Sequence, residues 1–212
     1  MLNVTNANGR PKDLRSRLKK LLQFRETGVF IALAVIFIGF SIATPDFLTI
    51  NNIIAIALRI SQYAIMACGM TMIIISAEID LSVGAFFGLA SALIARMVKS
   101  GINVWIAFVI VLFIGAVSGA ITGIITTKIR VPSFIVTLGL LNIFKTLTLI
   151  VTGAWVISGF DGEMTFFKIF SGEINIFPVE IIWMIVILII SSIILNRSVY
   201  GYNLFATGGN KV

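Results

Sequence analysis

The sequence predicts an all-α protein, a polytopic transmembrane helical bundle of about six spans with a cytoplasmic N-terminus. Three observations carry that prediction. Of 212 residues, 58% are apolar and only 12% charged, whereas soluble domains run near 45–50% apolar and about 25% charged. The apolar residues gather in long runs of about 20 residues, the length that crosses about 30 Å of hydrocarbon. The bases are piled at one end: 7 of 16 lie before residue 26 (Arg10, Lys12, Arg15, Arg17, Lys19, Lys20, Arg25), against Asp13 and Glu26. Beyond that head, 9 bases face 7 acids, so the net charge of +7 marks one segment and not a nucleic-acid-binding surface.

The same numbers exclude other classes. Disordered chains are polar and highly charged. A disulfide scaffold cannot be built on a single cysteine, Cys68. No histidine is present, which removes the usual metal ligand and the usual acid–base group near neutral pH. No catalytic, metal or cofactor site is expected. There is no phosphate-binding Gly-x-x-x-x-Gly-Lys-Ser/Thr loop, and Gly208-Gly209 lacks the strand and helix that a nucleotide fingerprint needs. Any uphill work must draw on another chain or on an ion gradient.

Residues 1–26 form a basic, amphipathic cytoplasmic head. Leu14, Leu18, Leu21 and Leu22 recur there at helical spacing with bases between them, a pattern suited to the inner headgroups. The head is too long for a signal peptide, although Ser41 and Ala43 have a cleavable-looking spacing. The membrane region, 27–212, holds apolar runs at 28–43, 53–77, 81–98, 104–127, 133–152 and 178–195. The run at 81–98 begins directly after Glu78 and Asp80, and leaves two readings open, a full span and a re-entrant segment.

Orientation follows the lysines and arginines of short loops. The inner segments are 1–26, the 78–80 turn, 128–132 with Lys128 and Arg130, and the tail 196–212 with Arg197 and Lys211. The outer loops are 44–52, 99–103 and 153–177, the last carrying Asp161, Glu163 and Glu173 against Lys168. Lys99 alone opposes this assignment. Trp105, Trp155 and Trp183 all fall at or beyond outer span ends, as an interfacial aromatic belt requires.

Two kinds of residue stand out within the spans. Gly115, Gly119 and Gly123 recur every fourth residue, as do Gly84, Gly88 and Ala92; such stripes let helix backbones approach closely in lipid. Ionisable groups inside spans usually face a cavity or a partner. Arg59 and Asp80 are separated by 21 residues, about 31 Å of straight helix, so they cannot pair unless the helix breaks. Arg59 either snorkels outward or lines a pathway. Asp80 and Ser82 either cap the third helix or mark broken backbone lining a cavity, as in transporters. Asn142 and Lys145 stand three apart, on one helix face, with the same choice between snorkelling and a pathway.

Several blocks carry a family resemblance. Gly69-Met70-Thr71, Ile79-Asp80-Leu81-Ser82-Val83-Gly84, the run Val131-Pro132-Ser133-Phe134-Ile135-Val136-Thr137-Leu138-Gly139, Thr152-Gly153, Ile157-Ser158-Gly159 and Tyr200-Gly201 through Ala206-Thr207-Gly208-Gly209-Asn210 occur in order. Together they resemble ribose-type ABC importer permeases. Lys145-Thr146 stands where that family more often has Arg-Gly, and Glu78 where glycine is common.

The resemblance implies a multi-pass subunit of the bacterial plasma (inner) membrane that forms a sugar pathway with a second permease subunit. It also implies two cytoplasmic ABC ATPase subunits, which hydrolyse the ATP, and an extracytoplasmic sugar-binding protein. Family members continue past the Gly-Gly-Asn block into a coupling helix and further spans, so a truncated permease unable to hold an ATPase stably is one expectation. A self-contained secondary transporter or channel, motivated by Arg59, Asp80 and Lys145, is the other competing reading.

Overall fold

The computed structural model describes residues 27–159 and 164–209. The amphipathic head, Asp161, Glu163 and the last three residues lie outside the described residues. The chain forms two compact units, Met1–Ala55 and Ile56–Val212.

In the first unit, α1 (Thr27–Ala43) is a 17-residue apolar helix with no buried residue. It stops before Pro45, whose ring disfavours helical backbone in the residue ahead of it. The turn that follows folds Phe47 back onto α1, edge-on to Phe37 at 5.3 Å and stacked on Phe40 at 5.6 Å. Asn52 donates to the Phe47 carbonyl at 2.7 Å, which ties the turn to the start of α2 (Ile50–Ile75).

The second unit contains most of α2, then α3 (Val83–Lys99) and α4 (Val104–Ile124). Asn103 caps α4 by accepting from the Trp105 N–H at 2.9 Å, satisfying one of the free donors of its first turn. The chain then winds into a π-helical turn, Ile125–Ile129, that ends at a left-handed Arg130. Next come α5 (Ser133–Thr152), a seven-residue α6 (Thr165–Ser171), α7 (Val179–Arg197) and α8 (Val199–Gly209). Two short strands, β1 (Glu173–Ile174) and β2 (Phe177–Pro178), pair antiparallel, with Ile174 opposite Phe177.

Every predicted apolar run is a helix, and the ends agree to within a few residues. Among the described residues, four helical stretches, Ile50–Ile75, Val104–Ile129, Ser133–Thr152 and Val179–Arg197, are long and apolar enough to cross a membrane. The outer loop read at 153–177 contains a helix and the small hairpin, neither of which its polar, mixed sequence announced. The α3 segment has 17 residues, about 26 Å of helix. It lies alongside α5 and runs in the same direction: Leu81 meets Thr137, Phe86 meets Phe144 edge-on at 5.3 Å, and Ala95 reaches the level of Thr152.

Buried apolar side chains are few and centred on α3, α4 and α5: Leu89, Ala92, Ala107, Val111 and Phe144. Most large apolar residues face outward, and α7, like α1, has no buried residue. In water such a surface would aggregate. In lipid it is the expected exterior, because acyl chains are as apolar as a core.

Candidate functional site

Two features break the regularity of this bundle, one at each end. At the end that carries Lys128, Arg130 and Arg197, α2 closes in a left-handed turn. Ala77 has φ 59°; its N–H donates to the Ile74 carbonyl at 2.9 Å, and that of Glu78 to Ile73 at 3.2 Å. This is the helix-terminating arrangement in which glycine usually occupies the left-handed position. The chain then runs without regular structure to Ser82, and donors of that stretch find side chains on α5. The Ile79 N–H donates to Ser133 Oγ and the Leu81 N–H to Thr137 Oγ1, both at 3.1 Å. These two donors, two residues apart, both reach the same partner helix. Ser133 and Thr137 stand four apart on α5 and present one face. The Thr137 hydroxyl is buried and donates to the Ser133 carbonyl at 2.9 Å, which leaves its oxygen free to accept from Leu81.

Asp80 folds onto its own segment. Its Oδ1 accepts from the Ser82 N–H at 2.7 Å and from Ser82 Oγ at 2.6 Å. Of the two readings of this pair, the cap is not made by Ser82, which occupies the N-cap position of α3 without a side-chain bond to the helix. Instead the broken backbone borders a groove of about 400 Å³, shared with Arg130, Pro132 and Phe134. Thr126 Oγ1, on the π-helical turn beside this groove, is buried without a hydrogen-bond partner.

The same turn receives α8. A Cβ added at Gly208 would run into the carbonyl oxygen of Ile75 and lie 3.2 Å from the Ser76 Cα. Helix α8 therefore lies directly on the end of α2, where only glycine fits.

At the opposite end, α6 lies over the helix tips. Phe166 packs edge-on to Trp105 at 5.1 Å and to Phe108 at 5.5 Å, while Phe170 stacks on Trp183 at 5.3 Å. Trp183 Nε1 donates to the Ile169 carbonyl at 2.8 Å. Below α6 a cavity of about 590 Å³ opens between α3 and α5, with Gly88, Ser91, Thr148, Trp155 and Phe167 on its walls.

The other predicted candidates are not drawn together. Arg59 is exposed on α2, which runs unbroken to Ile75, so at least about 24 Å of helix separates it from Asp80. Asn142 is exposed and donates to the Leu138 carbonyl at 3.0 Å; Lys145 is exposed on the same helix. Of the glycine stripes, Gly115 lies against Phe86, with 3.0 Å between a built Cβ and the ring. Gly84, Gly88, Gly119 and Gly123 have no such neighbour within 4 Å. Ser133 and Thr137 were not singled out in the sequence, although a hydroxyl pair four apart just after Pro132 was a usable signal. Glu180 was also passed over; its Oε2 is buried in the first turn of α7 without a hydrogen-bond partner.

Residues 52–212 match the family model described as "Branched-chain amino acid transport system / permease component". This chain belongs to that permease family. The permease is 35% identical over 184 residues to the ribose import permease protein RbsC of Haemophilus influenzae, covering 86% of this chain and 57% of the relative. It is 35% identical over 187 residues to RbsC of Bacillus subtilis, covering 88% and 58%. The D-allose transport system permease protein AlsC of Escherichia coli is 33% identical over 186 residues, covering 87% and 56%. The permease thus spans somewhat more than half the length of these curated relatives. No solved structure matches. With its apolar helices and bacterial relatives, it is a multi-pass protein of the bacterial inner membrane.

Proposed function

We propose that this chain is the permease subunit of an ABC importer for a monosaccharide or a related sugar, and forms part of its translocation pathway. The observation that carries this reading is the similarity, over 86% of the chain, to a protein named as a ribose import permease. The name of the family model mentions branched-chain amino acids, but the more specific likenesses are to ribose and allose permeases. The geometry is compatible: the irregular segment between α2 and α3 is tied to α5 by side-chain hydrogen bonds and borders a polar groove. The sequence holds no nucleotide loop, so in this reading ATP is hydrolysed by separate cytoplasmic ATPase subunits. A second permease subunit completes the pathway, and an extracytoplasmic binding protein delivers the sugar. Arg59, Asp80, Ser82, Asn142 and Lys145 remain pathway candidates within this proposal.

The test is reconstitution of the chain in proteoliposomes with an ABC ATPase and a ribose-binding protein. ATP-dependent accumulation of labelled ribose, absent when any component is omitted, is the expected result. Accumulation of leucine with none of ribose, or ribose uptake that is independent of ATP, would overturn the reading.

A further inference from the structure

The geometry points to a binding site for a neutral, hydroxyl-rich ring inside the permease itself, in the cavity between α3, α5 and α6. This rests on the sugar-permease reading and gives that reading a specific place and a specific chemistry.

The space comes from missing side chains. Gly88, Ser91, Ala92 and Ala95 put one small-residue face of α3 toward Thr148 and Thr152 of α5, leaving about 590 Å³, within the roughly 300–1,000 Å³ of small-molecule sites. The polar groups inside have a fixed sense. A hydroxyl has one proton to give, and those of Ser91 and Thr148 are already given to the carbonyls of Phe87 at 2.9 Å and Phe144 at 2.7 Å. Both oxygens therefore meet a ligand as acceptors only. Thr152 Oγ1 already accepts from the Ala154 N–H at 3.2 Å. A ligand that suits this lining must bring O–H donors of its own.

Among the described residues, no charged side chain lines the cavity. A carboxylate placed there would lose its hydration and face only acceptor oxygens, which tells against an amino-acid zwitterion. A sugar has no such cost, and its ring has an apolar C–H face that needs an aromatic partner. Trp155 supplies one. Gly153 and Ala154 are both left-handed, with φ 64° and 62°, and this double turn at the end of α5 brings an indole that is 81% exposed to the cavity wall. The negative face of an indole favours polarised C–H groups. Phe167 also lines the cavity.

The test uses the full chain in lipid nanodiscs and reads saturation-transfer NMR on D-ribose and on L-leucine. Ribose should bind saturably and leucine should not. Trp155→Ala should weaken ribose binding at least about 10-fold, as loss of an aromatic anchor does. Gly88→Leu should weaken it similarly by filling the cavity, since a side chain there meets no atom within 4 Å at its Cβ and the helix need not move. Circular dichroism and melting in the same discs identify any variant that has not folded. Absence of saturable ribose binding to the folded wild-type chain overturns the site, as does unchanged binding in both folded variants. Leucine competing for the same site overturns the assignment of its chemistry. Quenching of Trp155 by brominated acyl chains that ribose does not relieve makes the occupant a lipid and also overturns it. Reconstituted uptake separates the two proposals: ribose uptake that persists in both variants refutes this site and leaves the permease standing, whereas no uptake by the wild-type chain with its partners refutes the permease reading.

Discussion

Gly208 shows how much a single hydrogen in place of a methyl group can decide. Its α-carbon lies so close to the carbonyl oxygen of Ile75 that any Cβ must collide with backbone, which cannot rotate away. Its neighbour Gly209 has no atom within 4 Å of the same built position. Alanine is intrinsically better than glycine in a helix by about 0.5–1 kcal/mol, so propensity alone predicts that both replacements help. We expect instead that Gly209→Ala leaves thermal stability in detergent unchanged or raised. Gly208→Ala should lower it by about 1–3 kcal/mol, the usual cost of overpacking. Equal melting of the two variants would show that α8 does not rest on the end of α2. Ala77 poses the opposite problem, a side chain where the backbone favours glycine. Left-handed backbone costs an L-residue about 1–2 kcal/mol, and here the segment that follows, anchored on α5, holds the turn in place.

The segment 77–82 is an element of its own, neither helix nor loop in the ordinary sense. A backbone donor buried against α5 and left unpaired costs about 1–3 kcal/mol, so breaking a helix there requires substitutes. The substitutes are Ser133 and Thr137 toward α5, and Asp80 toward Ser82. Thr137→Val keeps the shape of the side chain and removes the acceptor, leaving the Leu81 N–H without its partner. We expect a loss of about 1–3 kcal/mol, the cost of a buried unsatisfied donor, together with faster hydrogen exchange at Leu81 than at Ile79, whose Ser133 acceptor remains. Unchanged exchange at Leu81 would show that this bond does not hold the segment. Because Thr137 also donates to the Ser133 carbonyl, the effects of the two positions should not add, as groups in one network rarely do.

Within the second unit, the structure gathers distinct features at the two ends of the helices. Tryptophans and α6 gather at one end; the α2–α3 break, the π-helical turn and α8 gather at the other. The lysine and arginine distribution assigns the second of these ends to the cytoplasm. Cysteine placed at Ala154, in a chain carrying Cys68→Ser, should react with an impermeant thiol reagent added to intact cells. Labelling only after the cells are opened would invert the topology.

The helices were legible in the sequence because a span in lipid satisfies its backbone within itself, so each is encoded locally by its run of apolar residues. Thus the boundaries of α3, read as 81–98, and of α5, read as 133–152, needed no knowledge of any neighbour. The family blocks were equally local. What the chain could not reveal locally was how one helix meets another. Asp80 and Ser82 were visible as an interruption, but their setting depends on Ser133 and Thr137, more than 50 residues away. Gly208 and Ile75 are farther apart still, and the helix within 153–177 is held by aromatic contacts to α4 and α7. The rotation of each helix about its axis is the missing variable. In a soluble protein hydrophobic periodicity reports it; here lipid and core are equally apolar, so outward and inward faces read alike. The sequence by itself determined that this chain is a bundle of membrane-spanning helices and where each begins and ends. Only the tertiary structure decided which small residues open a cavity and which hydroxyls close a broken helix, because those depend on rotation and register that an all-apolar surface does not encode.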